Sequence, residues 1–383
     1  MPPSGGIAHV HVVVIGAGIV GLLTALELRR RGHEVEVRST GVAEGATHAA
    51  AGMLAPAAEV QVGQGPLWGI MREAALAHRR LAARLPELTR EFSRPATARS
   101  AGYRDDPTLV VGRDHADLAA LHDLAVLQRR AGAEVQELLP REARRLEPAL
   151  ARGIAGAVRI GSDHQVDPRT LARTVVAALE AHGVRLRIGA VPGLDAVPAD
   201  RIVLAAGLGA PAIAGPHQQL DLALRPVRGD ILRLRVPSSL LMPGEEHLLT
   251  GTVRAIVRGR AVYCVPRDGG GIVLGATSRE DTLQGPSTGG VLQLIQDSAE
   301  ILPSIRETEL VEVTARDRPG TPDDLPLLGP VPGHEQVIVS TGYHRHGILL
   351  SAWAAERTAD IIDGRDASLP AAVRPERFTK EPA

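Results

Sequence analysis

The stretch His11-Val-Val-Val-Ile-Gly-Ala-Gly-Ile-Val-Gly21 decides the fold. Val10 to Ile15 is a β-branched run, the pattern of a strand buried on both faces. Gly16, Gly18 and Gly21 follow at GxGxxG spacing. Leu22 to Arg31 then reads as a helix, closed by Gly32 in the position glycine favours. Glu34 to Arg38 alternates as a second strand. Strand, glycine turn, helix and strand together fill about 30 residues, the length of one βαβ unit. Each glycine has its own task. Gly16 makes the tight turn, Gly18 lets backbone approach a pyrophosphate, and Gly21 permits close packing of helix on strand. The helix start offers free N–H groups and a partial positive charge to phosphate. GxGxxG alone is a weak signal. Placed directly after a strand and opening a helix, it points to a bound dinucleotide rather than a glycine-rich turn without a ligand. One departure stands out: Ser39 occupies the end of the second strand, where the fingerprint has an acid. A serine can hydrogen-bond a ribose but brings no charge.

At 383 residues the chain suggests two domains. Its net charge of −1 gives no sign of a nucleic-acid partner held by bulk electrostatics. Arginine supplies nearly all the positive charge, Lys380 being the only lysine. The single Cys264 excludes an internal disulfide and fits a reducing compartment. No apolar run approaches the ~20 residues of a membrane span. Met-Pro-Pro-Ser-Gly-Gly at the N-terminus lacks the basic segment of a secretory leader, so a cytoplasmic protein is expected. Aromatic residues are scarce, which makes the positions of the three tyrosines informative.

Further along, Leu67 to Glu91, His115 to Ala131 and Pro140 to Leu150 are helical in pattern, with a short strand at Thr108 to Val111. Val166-Asp-Pro168 opens a helix that runs to about His182, with Asp167 before it and proline in its first turn. Strands follow at Val184 to Ile188 and Arg201 to Ala206, where the chain returns to the nucleotide sheet. From Leu224 to Val313 the pattern turns to β, with a hairpin turn at Asp268-Gly-Gly-Gly271 and a helix at Gly289 to Ile301. Val337 to Ser340 is a strand and Gly347 to Asp363 the last helix. The expected architecture is α/β: a Rossmann-like nucleotide domain (1–90, 149–223 and 325–383) with a β-rich substrate domain inserted in it (91–148 and 224–324).

Thr47-His-Ala-Ala-Ala-Gly-Met-Leu-Ala-Pro56 resembles the small-residue segment of the D-amino-acid-oxidase superfamily, and within it the glycine oxidases of thiamine biosynthesis. Small side chains there let backbone pass close to a flat ring system. Arg225-Pro-Val-Arg-Gly229, Val262-Tyr-Cys-Val-Pro-Arg267, Val273-Leu-Gly-Ala-Thr277, Arg318-Pro-Gly-Thr-Pro-Asp323, Leu325-Pro-Leu-Leu-Gly329 and Gly342-Tyr-His-Arg-His-Gly-Ile-Leu-Leu350 occur in the order of that family. The resemblance covers most of the chain and is weakest over residues 90–150. It implies FAD as cofactor. The flavin contacts it implies are Gly16, Gly18, Ile19, Val20, Gly21, Ser39, Thr40, Ala46, Thr47, Ala51, Gly52, Met53, Val191, Tyr343, His344, Arg345, His346, Gly347, Ile348 and Leu349.

The same resemblance places Arg318, Arg345 and Tyr263 at the substrate. An arginine fork matches a carboxylate, and a tyrosine hydroxyl can bond the same group. The blander readings are a solvated arginine at 318, a structural ion pair at 345 and a core tyrosine at 263. Cys264 points to the other face of its strand and reads as a small buried hydrophobe. The implied reaction is oxidative deamination of glycine or a small amine. The α-carbon gives a hydride to flavin N5, and oxygen serves as electron acceptor. No catalytic triad is required and no metal is expected. A dehydrogenase of the same fold, an oxidase for D-amino or secondary amino acids, and a flavoprotein with a decayed site are the alternatives. The family often forms homotetramers. Ser278, Thr314, Arg316, Asp317, His344 and His346 depart from the glycine-oxidase pattern toward polar residues, which suggests a substrate more polar than glycine or weak activity on glycine.

Overall fold

The computed structural model describes residues 9–191, 193–214 and 222–378. The N-terminal Met-Pro-Pro-Ser-Gly-Gly and Lys380 lie outside them. The opening strand is His11–Ala17 and the helix after it Ile19–Arg30. Val12 and Val14 pack toward helices on one face, while Val13 and Ile15 enter a separate cluster on the other. The unbroken apolar run is thus explained by burial on both faces.

Six strands form the first sheet, in the order Leu327–Val331, His334–Thr341, Arg201–Leu204, His11–Ala17, Glu34–Val42 and Arg185–Ile188. All neighbours pair in parallel except the first two. Helices Ile19–Arg30, Gly65–Leu88, Pro168–Ala181 and Gly347–Ile362 share the core on one face. The helix from Pro168 starts as its sequence predicts: the Asp167 carboxylate accepts from Arg169 N and Thr170 N.

The second sheet has eight strands: Glu309–Gly320, Arg225–Arg235, Gly271–Gly275, Arg260–Arg267, Val253–Val257, Thr108–Gly112, Gly156–Ile160 and Val135–Leu138. Its pairs are antiparallel except Val253–Val257 with Thr108–Gly112. Helix Thr288–Ile301 covers one face, where Cys264, Leu232, Leu274 and Leu294 share a core. The other face meets the small-residue segment: Ile231, Val265 and Val273 pack with Ala49 and Ala51. The architecture is the expected one, a Rossmann-like sheet with a β-rich unit inserted.

Three details differ from expectation. Helix Pro140–Leu146 stops short of Leu150, because Glu147 turns away to accept from Thr250 N (3.0 Å) and Gly251 N (2.8 Å). Gly156–Ile160, expected within the nucleotide-binding portion, is hydrogen-bonded into the eight-stranded sheet between Thr108–Gly112 and Val135–Leu138. The β pattern expected to end at Val313 continues to Gly320 in one strand. That strand is the sheet's edge, where Pro319 removes no ladder hydrogen bond the sheet needs.

Candidate active site

At the nucleotide turn, Gly16 has φ +112° and lies so close to the neighbouring strand that a Cβ would strike the Ala205 carbonyl. A Cβ on Gly21 would strike the Gly16 carbonyl. Gly18 caps helix Ile19–Arg30 with no side-chain bond. Its missing side chain faces only Thr47 Oγ1, 3.6 Å from the ideal Cβ position. Thr47 Oγ1 accepts from Ile19 N at 3.1 Å, tying the small-residue segment to the helix start. A backbone-lined helix start whose N-cap residue brings no side chain fits a pyrophosphate. Val20 is partly buried beside it and Thr40 is exposed at the end of the second strand.

Ser39 donates its hydroxyl proton to the Gly41 carbonyl at 2.7 Å. Gly41 N in turn donates to Ser39 Oγ at 3.5 Å, which leaves one lone pair for a ribose hydroxyl. Gly52, with φ +74°, has a reason within the protein itself: a Cβ would collide with the Val166 carbonyl. Its own carbonyl accepts from Val166 N at 2.8 Å. Ala46, Thr47, Ala51 and Met53 lie along the same segment, which runs under the eight-stranded sheet. Val191 packs with the cluster on the far face of the nucleotide sheet.

Arg318 reaches from the edge strand across Gly229, where a Cβ would stand 2.6 Å from its Cζ. Its Nη1 donates to the Thr277 carbonyl at 3.3 Å, and it makes no ion pair with a carboxylate among the described residues. Burial lowers its pKa from the usual arginine range. The Tyr263 hydroxyl lies over Gly275, 2.6 Å from where a Cβ would be. Burial raises its pKa, and the positive charge of Arg318 is the main influence opposing that. So the phenol stays protonated and able to donate. Two strand glycines therefore clear the space in which a cation and a phenol converge.

Arg345 is engaged. Its Nε and Nη2 lie 2.8 and 2.5 Å from Glu59 Oε2. Glu59 Oε1 is taken by Arg254 Nη1. Burial alone would raise the Glu59 carboxyl, but Arg254 and Arg345 override it and hold it below the usual range. Asp163, fully buried, accepts from Ala57 N (3.1 Å) and Ala58 N (2.7 Å) and so fixes the turn that presents Glu59. Burial pushes Asp163 up to about 7.

Glu59 and Arg254 escaped the sequence reading. Each is a lone charge in an apolar stretch, and a charge so placed must find a partner in the core. Arg267, also buried, donates to Gln165 Oε1 (2.7 Å) and to the Ala51 carbonyl, clamping the small-residue segment to the substrate sheet.

In the C-terminal loop, Tyr343 is a core residue. Its hydroxyl is 2.8 Å from Ser340 Oγ, so a cofactor contact there falls to its backbone. His344 has φ +45° and its Nδ1 is 3.4 Å from Asp324 Oδ1. His346 is buried, its Nε2 has no hydrogen-bond partner among the described residues, and burial pushes its pKa down to about 3. Gly347 starts helix Gly347–Ile362, again without a side-chain cap, and Ile348 and Leu349 are buried in its first turn. No group of three or more His, Cys, Asp or Glu among the described residues is placed to hold a metal ion.

Several polar departures are spent away from the pocket. Asp317 pairs with Arg228, Ser278 is exposed, Arg316 donates to the Glu44 carbonyl, and Thr314 donates to Glu312. Among the described residues no helix is long and apolar enough to cross a membrane.

The model of the DAO family, described as FAD dependent oxidoreductase, matches residues 11–361. The glycine oxidase of Geobacillus kaustophilus (strain HTA426) is 30% identical over 374 residues, 93% of each chain. The bifunctional protein ThiO/ThiG of Nostoc sp. is 30% identical over 370 residues; there the chain spans 52% of the relative's length. The crystal structure of glycine oxidase from Geobacillus kaustophilus superposes with a TM-score of 0.81 at 29% identity, over 95% of this chain and 97% of that one. With that match running from the first strand of the nucleotide sheet into its last helix, the chain belongs to the DAO family of FAD-dependent oxidoreductases.

Proposed function

We propose that the chain oxidises the amino group of glycine or a small amino acid. The imine product leaves to serve thiazole synthesis for thiamine or hydrolyses to a 2-oxo acid and ammonia, and oxygen takes the electrons to give hydrogen peroxide. The observation that carries this reading is Arg318: a partly buried guanidinium without a carboxylate partner among the described residues, next to a protonated phenol. A substrate carboxylate supplies the missing charge and accepts from both groups. Bound FAD supplies the hydride acceptor. Gly16, Gly18 to Gly21, Thr47, Ala51 to Met53 and His344 to Leu349 are the residues assigned to hold it.

The chain's own contribution is placement. Arg318 and Tyr263 fix the carboxylate, which leaves the α-carbon facing the small-residue segment. The cations around Glu59 disfavour a second positive charge, so the amine is held neutral, the form that can release a hydride. The division of labour follows the two sheets, with 1–90, 149–223 and 325–383 binding FAD and 91–148 and 224–324 binding substrate; strand Gly156–Ile160 supplements the latter. A cytoplasmic homotetramer is the expected form. Anaerobic mixing of the FAD-loaded protein with glycine or sarcosine tests the reading: bleaching of the flavin band, then peroxide on admitting air, is expected. Bleaching without peroxide would make it a dehydrogenase, and no bleaching by any amine would overturn it.

A further inference from the structure

We infer that the substrate carries a second acidic group and that Arg254 is the residue that reads it. This rests on the amine-oxidation reading above and narrows its substrate class. Arg345 and Arg254 share the single carboxylate of Glu59, and Arg318, whose charge also reaches Tyr263, pairs with no carboxylate among the described residues. Three positive charges against one negative leave two unmatched. Of the other carboxyls, Asp230 acts on Arg318 but is paired with Arg279 at 2.9 Å, and Asp163 is turned to Ala57 and Ala58 N–H, where burial leaves it only partly ionised near neutral pH. His346 is neutral and adds nothing. One substrate carboxylate, on Arg318, satisfies one of the two charges.

The other has a definite location. Arg254 stands directly opposite Tyr263 in the antiparallel pair Val253–Val257 with Arg260–Arg267, so their side chains share one face of the sheet. Arg318 approaches the same phenol from the Gly229 side. Tyr263 is thus flanked by a guanidinium on each side. Only Nη1 of Arg254 is engaged, by Glu59 and by Met53 Sδ at 3.4 Å; its Nε and Nη2 make no hydrogen bond among the described residues. Those two nitrogens form the fork that binds a carboxylate bidentately. An amino acid with acids at both ends fills both flanks of the tyrosine and neutralises the cluster.

The test is a pair of matched comparisons on the FAD-loaded enzyme: sarcosine against iminodiacetate, and D-alanine against D-aspartate. The diacid of at least one pair is expected to have the higher kcat/KM, by about tenfold for one charge-assisted contact. Arg254→Met brings that ratio back toward one, and Arg254→Lys keeps part of it. Binding gives a second readout, with malonate competing more strongly than acetate in the wild type and losing that advantage in Arg254→Met. Ratios near one in both wild-type pairs, or ratios that survive Arg254→Met, overturn the inference while leaving amine oxidation standing. If no amine reduces the flavin, both readings fall together.

Discussion

Arg318 occupies the space that a side chain at Gly229 would need: a Cβ there would stand 2.6 Å from both Cζ and Nη1. Two positions 89 residues apart, by subtraction of their numbers, are therefore coupled sterically. Gly229→Ala is expected to push the guanidinium off the strand. KM should rise steeply with little change in the flavin spectrum, since no nucleotide contact is touched. Steady-state kinetics beside an absorbance scan checks this; an unchanged KM would show that Arg318 does not hold substrate from this position.

Direct removal of the cation should act on the same step. Arg318→Met is expected to lower kcat/KM by about 10- to 100-fold, the weight of a hydrogen bond to a charged group at about 1.5–3 kcal/mol. Tyr263→Phe removes one neutral donor and should cost less, about fivefold to tenfold. The order of the two effects is the check.

The nucleotide turn makes a prediction about cofactor retention. In Gly21→Ala the new methyl group meets the Gly16 carbonyl, and the helix must move from the strand. The purified variant should carry much less FAD than the wild type, read as the ratio of flavin to protein absorbance. Full occupancy would show that the helix has room to retreat.

How far these features can be read from sequence depends on how local their causes are. His11–Ala17 declared itself because both faces are buried and every residue after His11 is apolar. Asp167 and Pro168 declared a helix start because a cap acts within three residues. Strand Glu309–Gly320 gave no such signal beyond Val313. It lies on an edge, and Arg316, Asp317 and Arg318 interrupt any apolar alternation. Arg318 itself was reached through a motif, but its lack of a carboxylate partner is a property of the folded surroundings. The Glu59 pair joins residues 195 apart, so no local window contains it. Ser39 was expected at a ribose, whereas its proton is committed two residues away, a choice made by the backbone turn.

Glu59 anchors two cations, so its loss should be costly. Glu59→Leu leaves Arg254 and Arg345 without their partner, and breaking a buried pair costs about 3–5 kcal/mol. Denaturant unfolding should show that loss, with a rise in KM as Arg345 is released. An unchanged midpoint would mean that the two arginines find other acceptors.

Asp163 gives a pH dependence with a definite sign. Its pKa is raised by burial from 3.8 in the unfolded chain to about 7 when folded. The folded state therefore binds the proton more tightly. The stability linked to this group is complete below about pH 4 and is lost as pH rises to about 7. Asp163→Asn removes that titration. The difference in melting temperature, variant minus wild type, should become more positive from pH 4 to pH 7. A flat difference would show that Asp163 is ionised in the folded protein throughout.

Cys264 lies on the covered side of the same strand that presents Tyr263, in the core beneath helix Thr288–Ile301, and burial pushes its thiol up to about 12. An alkylating reagent can reach it only when that helix lifts from the sheet. Because it is the sole thiol in the chain, the rate of its labelling times the breathing of the substrate sheet. A substrate that knits the two sheets together across Arg318 and the small-residue segment should slow that clock.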